Sequence, residues 1–350
     1  MKLVHGGDTV SYRERYGRDA LDFSANVSPL GIPEAVARAI GEAAFEADKY
    51  PDPLCRGLCA ALGEAEQIPK DWILCGNGAA DLIFRLVLAK RPRHALVLAP
   101  TFAEYAAALK TVDCEVHRYL LTERNDFALT EDILGAIERP IDMVFLCQPN
   151  NPTGQAADRV LMRRILAKCE AVGALLAVDE CFLDFLSDGE TLTMKPDLAA
   201  HTNLFILKAF TKLYGMAGVR LGYGLCADAD LLARMRNAGQ PWAVSSLAQS
   251  AGLAALGQAE YVEQVRALIE TERPYLLSGL RALGLRVIEG RANYLLFRAD
   301  EALWERLEAR GVVVRRCGNY PGLDETWYRT AVRTRRENDA LLAALREALA

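Results

Sequence analysis

Lys212 and Arg220 stand eight residues apart in the stretch FILKAFTKLYGMAGVRLGY (205–223). The apolar run Leu204-Phe205-Ile206-Leu207 reads as a strand, and it passes through Thr211-Lys212 into a turn around Gly215 and Gly218 before reaching Arg220. A lysine lodged at a strand end among apolar and small residues is pushed toward the neutral amine, which can attack a carbonyl and form a Schiff base. The arginine after it can hold a phosphate. A lone Lys/Arg pair is ordinarily surface charge, so the pair gains meaning only from what surrounds it.

Four further stretches supply complementary chemistry. Gly76-Asn77-Gly78-Ala79 links a short strand to a helix; free amides of the helix's first turn and its positive dipole end suit an anion. Phe102, after Ala95-Leu96-Val97-Leu98, can cover a planar ligand face. Asn151, in Asn150-Asn151-Pro152-Thr153-Gly154, offers a neutral amide to a ring hydroxyl or oxyanion. Asp179 follows the apolar run Leu175-Leu176-Ala177-Val178 directly, and a carboxylate there costs desolvation energy unless a group such as a pyridinium nitrogen pairs it. Lysine, phosphate-binding arginine, glycine-rich loop and buried carboxylate together make a site for pyridoxal phosphate.

The elements that must position these residues are strands buried on both faces alternating with helices. That pattern predicts an α/β fold with a mainly parallel sheet flanked by helices, its ligand at the strands' C-terminal ends. Gly76 to Ala79, Phe102, Asn151, Asp179 and Lys212 all follow such strands. An N-terminal arm (1–30), a large domain (31–255) and a smaller α+β domain (256–350) are expected. The last has a long helix from about Val262, strands at Leu285–Ile288, Tyr294–Phe297 and Val312–Val314, and a closing helix at Glu337–Leu349. Among its arginines, Arg329 and Arg333 lie in YRTAVR, where strand alternation would aim both at one face, as an anion requires. Tyr50 is presented from a rigid Tyr50-Pro51-Asp52-Pro53 loop.

Over 350 residues the chain is 51% hydrophobic and 25% charged, an ordinary globular composition. Its net charge of −5 gives no footprint for nucleic acid. With neither a signal-peptide pattern nor an apolar run long enough to span a bilayer, a cytoplasmic protein without membrane contact is expected. Nine cysteines without a CxxC pair are read as reduced thiols, several of them buried, and four scattered histidines give no reason to expect a metal site.

In their order and spacing, GNGA, PTFAEY, NNPTG, VDE and TKLYGMAGVRLGY resemble the fold-type I pyridoxal-phosphate enzymes. Within that superfamily, whose large domain has the aspartate-aminotransferase-like fold, they are closest to the branch of histidinol-phosphate aminotransferase and L-threonine-O-3-phosphate decarboxylase. The resemblance covers nearly the whole chain. It implies that Lys212 forms the Schiff base with the cofactor and shuttles protons, while Asp179 keeps the ring nitrogen protonated. Asn151 is implied to bond the ring hydroxyl, Phe102 to stack on the ring, and Gly78, Ala79, Thr211 and Arg220 to hold the phosphate. Lys208, in a similar LKAF, lacks the required spacing to Arg220. Tyr50 is implied to reach the cofactor phosphate of a neighbouring subunit, which makes the protein a homodimer. A small phosphorylated amino acid would meet Arg329, Arg315, His5, Gly6 and Asn26.

The opening His5-Gly6-Gly7, the phrase DFSANVSPLG (22–31), Phe182 where the aminotransferases usually have tyrosine, and Pro241-Trp242-Ala243-Val244 all resemble the decarboxylase. Ser245, where that family usually has asparagine, departs from it. The implied reaction is decarboxylation of L-threonine O-3-phosphate to 1-aminopropan-2-ol phosphate, a corrinoid precursor. The alternatives are a histidinol-phosphate-type aminotransferase using 2-oxoglutarate and a serine-phosphate decarboxylase, whose substrate lacks one methyl.

Overall fold

The computed structural model describes residues 6–350. Strands occur in chain order as β1 (Leu21–Asp22), β2 (Ile73–Gly76), β3 (His94–Ala99), β4 (Glu115–Leu120), β5 (Met143–Cys147), β6 (Leu175–Asp179), β7 (Leu204–Ala209) and β8 (Gly222–Leu225). They continue as β9 (Arg286–Ile288), β10 (Tyr294–Arg298), β11 (Val312–Val313), β12 (Arg315–Arg316) and β13 (Trp327–Ala331). Seven of them form one sheet in the order β2-β8-β7-β6-β5-β3-β4. Every neighbouring pair is parallel except those made by β8, which runs against both β7 and β2. The α/β class expected from the sequence is therefore the observed one.

Alternation along these strands feeds two apolar layers. Leu96, Val144, Leu176 and Ile206 point to one side of the sheet; Val97, Phe145, Ala177 and Phe205 point to the other. Both faces are covered, so the strands read as unbroken apolar runs. The chain's second sheet has the order β12-β13-β10-β9, all antiparallel. Its core, with Leu295, Phe297, Tyr328 and Leu345, is separate from the two layers of the large sheet. Near the N-terminus β1 pairs in parallel with β11, and Phe23 accepts the amide of Ala331 through its carbonyl at 2.8 Å. Residues 21–23 are thereby tied to β11, which leads into β12 and Arg315, and to β13, which carries Arg329.

The expected alternation through YRTAVR does not hold. Strand β13 ends at Ala331, and the chain turns into the helix Arg335–Leu349 through a capping box of Thr334 and Glu337. Arg333 lies past the strand end, pairs with Glu337 at 2.6 Å and sits over the Phe23 ring. It does not share a site with Arg329, because the period-two rule stops where the strand stops.

Candidate active site

The C-terminal ends of β3, β5, β6 and β7, the start of the helix Ala79–Lys90, and the strand pair β12–β13 enclose a cavity of about 420 Å³. Ligand pockets fall within about 300–1,000 Å³. Ala79, Phe102, Asn151, Asp179, Thr211, Lys212, Arg220, Arg315 and Arg329 all line it, as do Gly6 and Asn26 from the N-terminal segment. Gly78 lies just behind Arg220. Tyr50 is not on the wall of its own chain's cavity: it is 81% exposed and packs against Trp242 with ring centroids 4.7 Å apart. His5 lies outside the described residues.

Lys212 belongs to the short helix Phe210–Leu213 that follows β7. The carbonyl of Lys212 accepts the amide of Ser28 at 2.8 Å, fixing the segment that bears the amine. Burial, and then the positive charge of Arg329, pull its pKa down from 10.5 to about 8. Cys181 opposes them, Arg220 lowers it further, and Asp179 opposes least. About a tenth of the amine is therefore neutral at pH 7, the form in which it is a nucleophile. The amine lies 5.7 Å from the centre of the Phe182 ring, itself edge-on to Tyr294.

Asp179 ends β6 and is buried. Tyr105 donates its hydroxyl to Oδ2 at 2.6 Å, and the amide of Cys181 donates to Oδ1 at 3.0 Å. Tyr105 lies stacked on Phe145, its hydroxyl held well above its ordinary pKa by burial and by the Asp179 charge. The carboxylate is thus locked in orientation by two donors. Tyr105 is a residue the sequence reading did not single out; only its position in PTFAEY, three residues beyond Phe102, marked it.

Asn151 is held by its neighbour. Asn150 accepts from Thr101 Oγ1 at 2.8 Å and donates to the Pro100 carbonyl at 3.0 Å, and its own carbonyl accepts the Tyr294 hydroxyl at 2.9 Å. Asn151 accepts from Arg329 through Oδ1. Arg329 also donates to the Ser24 carbonyl at 2.8 Å, and with its amide turned Asn26 accepts from Arg329 Nε at 3.1 Å. Arg315 faces Arg329 directly across β12 and β13, donates to Asn319 at 2.8 Å and lies over Tyr320. Both guanidiniums are buried. Two cations side by side in one wall make that wall complementary to anionic groups.

The far end of the cavity forms a cradle. Gly78 has φ +81°, and a Cβ there would stand 2.5 Å from Arg220 Nη2. Only glycine lets the arginine close over the helix start. Arg220 itself has φ +61°, a conformation that costs a non-glycine residue about 1–3 kcal/mol and persists where surrounding structure requires it. Ala79 opens a helix whose first-turn amides have no intrahelical partner. A phosphate fits here, an aromatic ring fits between Phe102 and the Asp179 side, and an aldehyde fits at Lys212. The residues present therefore suit pyridoxal 5'-phosphate.

Lys208, four residues earlier, points elsewhere. It is buried and paired with Asp184 at 2.8 Å and Glu66 at 3.2 Å. Burial would lower its pKa, but the combined charges of Asp184, Glu66 and Glu180 raise it instead. Ser245 caps the helix Ser246–Leu256, accepting from the Ala248 amide at 3.1 Å. All nine cysteines are free and buried. No helix among the described residues is long and apolar enough to cross a membrane.

Comparison with known proteins agrees with this geometry. The chain is 40% identical over 333 residues to a threonine-phosphate decarboxylase of Salmonella typhimurium, covering 94% of this chain and 91% of that protein. It is 35% identical to a histidinol-phosphate aminotransferase of Symbiobacterium thermophilum, covering 96% and 92%. The solved L-threonine-O-3-phosphate decarboxylase of Porphyromonas gingivalis superposes with a TM-score of 0.84 at 26% identity, over 94% of this chain and 99% of that one. The model of aminotransferase class I and II matches residues 18–345, and the chain belongs to that family of pyridoxal 5'-phosphate enzymes.

Proposed function

We propose that the protein decarboxylates L-threonine O-3-phosphate to (R)-1-aminopropan-2-ol O-2-phosphate. The observation that carries this reading is the paired Arg315 and Arg329 in the wall facing Lys212. A substrate with a carboxylate and a phosphate has two anionic groups for that wall, and the 40% identity to a threonine-phosphate decarboxylase supports the same chemistry. Gly6, Asn26 and the backbone of Ser24 border the guanidiniums and would share the substrate's anions. The bound cofactor supplies an electron sink for the pair released when the carboxylate leaves.

The chain's own residues do the rest. Lys212 would hold the cofactor covalently and then, as an amine with pKa near 8, deliver the proton that replaces CO2 at the substrate carbon. Asp179, oriented by Tyr105 and the Cys181 amide, would hold a proton at the ring nitrogen. Asn151 would meet the ring hydroxyl, Phe102 would cover the ring, and Gly78, Ala79, Thr211 and Arg220 would bind the phosphate. Arginine pairs that turn the carboxylate out of the ring plane favour its loss over loss of the neighbouring proton.

The proposed assembly is a homodimer in which Tyr50 reaches the neighbouring subunit's cofactor phosphate. Its 81% exposure supports this, together with the exposed Phe45 and Leu54 beside the same loop. The proposed division into an arm (1–30), a large unit (31–255) and a small unit (256–350) places the cavity where the three meet.

A second reading, transamination of a phosphorylated amino acid, is favoured by the 35% identity to a histidinol-phosphate aminotransferase. Cofactor-loaded protein incubated with L-threonine O-3-phosphate alone decides between them. Release of CO2 and the amino-alcohol phosphate without a keto acid is the expected result. Glutamate formed from 2-oxoglutarate and histidinol phosphate, with no CO2 from threonine phosphate, overturns it; CO2 release from L-serine O-phosphate at comparable kcat/KM would broaden the substrate.

A further inference from the structure

At the opposite edge of the large sheet from β2, β4 is held to the sheet only by β3. His94 opens β3, and Glu115 and His117 lie on β4, with His94 in register with Glu115 and Leu96 with His117. Residues two apart on a strand share a face, so all three side chains leave the sheet on the same side. His94 Nδ1 lies 3.3 Å from His117 Nε2 and 3.4 Å from Glu115 Oε2, and His117 Nε2 lies 3.6 Å from Glu115 Oε1. The donor atoms of all three residues fall within 4.8 Å of one another.

These separations have a chemical meaning. With metal–nitrogen and metal–oxygen bonds of about 2.0–2.2 Å, the edges of a tetrahedron measure about 3.3–3.6 Å. The two imidazole nitrogens stand at that spacing, and each meets a different oxygen of the Glu115 carboxylate at it, so a rotation of that exposed carboxylate completes three ligands of one ion. The side chains of His94 and His117 are 30% and 37% exposed, which leaves an entry path and room for water to complete the coordination. Imidazole with carboxylate selects zinc, cobalt, nickel or copper over magnesium or calcium.

We propose that His94, Glu115 and His117 form a site for a divalent transition-metal ion of the zinc class, clamping the edge strand β4 to β3. The site is separate from the cofactor cavity and does not depend on the reaction catalysed. An unpaired sheet edge is a point of fraying and of pairing with other chains, and a cross-strand ion restrains it.

The test uses cofactor-loaded protein freed of metal by a chelator and then equilibrated with Zn2+, with bound metal counted per chain and affinity measured by calorimetry. Co2+ serves as a second probe through its visible absorption. The expected result is about one saturable ion per chain, weakened at least tenfold by His94→Gln or His117→Gln singly and abolished by the two together. A zinc-dependent rise in melting temperature should vanish in the same variants. Absence of saturable binding in the natural protein, or binding undiminished in the double variant, overturns the proposal. If the double variant does not fold, the single variants and Glu115→Gln decide it, and undiminished zinc affinity in all three is again refutation.

Discussion

Lys208 and Lys212 belong to one continuous stretch, the end of β7 and the turn of helix after it, yet their surroundings have opposite consequences. Lys208 is enclosed by carboxylates: Asp184 and Glu66 bond it directly, and Lys195 joins Glu66 at 2.7 Å to complete a buried network. Lys212 shares its cavity with three guanidiniums, of which Arg329 and Arg220 lower its pKa, and with an aromatic ring. Burial acts on both and pushes both toward the neutral amine. Neighbouring charge decides the outcome, fixing one lysine as a permanent cation and freeing the other as a base. A buried lysine is thus reactive only where burial and like charge act together.

The largest effect expected from breaking this comparison is on the lysines themselves. Lys212→Ala should remove the absorbance of lysine-bound cofactor and lower kcat by about 10⁴ or more, since both covalent attachment and proton transfer are lost. Lys208→Ala should keep that absorbance while destabilising the fold by about 3 kcal/mol, the cost of leaving buried carboxylates short of a partner. Absorbance spectra and denaturant midpoints check both, and the reverse pattern would reassign the reactive lysine.

A pH series sharpens the contrast. The amine of Lys212 must be neutral to attack the cofactor aldehyde. Loading of the apo-protein should therefore quicken about tenfold per pH unit below about 8 and level off above it. For a lysine at its ordinary 10.5, the rise would continue for more than two further units. Arg329→Gln removes a charge that lowers the pKa, so its plateau should begin at higher pH. Stopped-flow absorbance measures the rate, and a plateau unmoved by the variant would discount that charge.

Two glutamates of the same buried region differ as the lysines do. Burial disfavours the charge of Glu66, but Lys208, Lys195 and the Tyr223 hydroxyl outweigh it and bring its pKa to about 2. Glu180 accepts from Thr193 at 2.7 Å and from the Met194 amide at 2.8 Å, but burial dominates and raises its pKa to about 7. The signs are opposite. Glu66 contributes stability that is present above about 4.5 and lost as pH falls toward 2. Glu180 contributes stability that is present below about 4.5 and lost as pH rises to about 7. Glu180→Gln has no titrating proton; its amide oxygen can still accept from the Met194 amide, while its NH2 must donate to the Thr193 hydroxyl in place of accepting from it, and the variant should remove about 2–3 kcal/mol of stability loss across that window. Urea midpoints at pH 4.5 and 7.5 measure it; an unchanged difference between them would mean Glu180 ionises normally.

What the sequence disclosed follows burial. Strands β3, β5, β6 and β7 are covered on both faces, so they stand out as apolar runs, and each places a chemically distinctive residue at its end. Strand β4, EVHRYL, is a half-exposed edge, and β8, GYGL, is short and glycine-rich, so neither carries that signal. Without β4 in view, His94 and His117 look scattered, although the register makes them neighbours. Arg329 was legible because it lies within a strand, whereas Arg333 was misread because a capping box ends the alternation first. Asp179 was legible by its cost, but Tyr105, which orients it, is one aromatic among twelve tyrosines and becomes distinctive only once β3 and β6 are placed.

The smallest effect concerns Ser245, the departure from the decarboxylase pattern. Its side chain caps a helix, and serine and asparagine cap about equally well. Ser245→Asn should therefore change stability by no more than a few tenths of a kcal/mol, whereas Ser245→Ala should cost about 1 kcal/mol. Ser245 is exposed and does not line its own chain's cavity, so neither variant should alter the ratio of kcat/KM for threonine phosphate over serine phosphate. A ratio shifted by Ser245→Asn would mean that this residue meets substrate across the proposed dimer, as Tyr50 is proposed to meet cofactor. The exchange would then be one of recognition rather than of caps, and the site would extend over two chains.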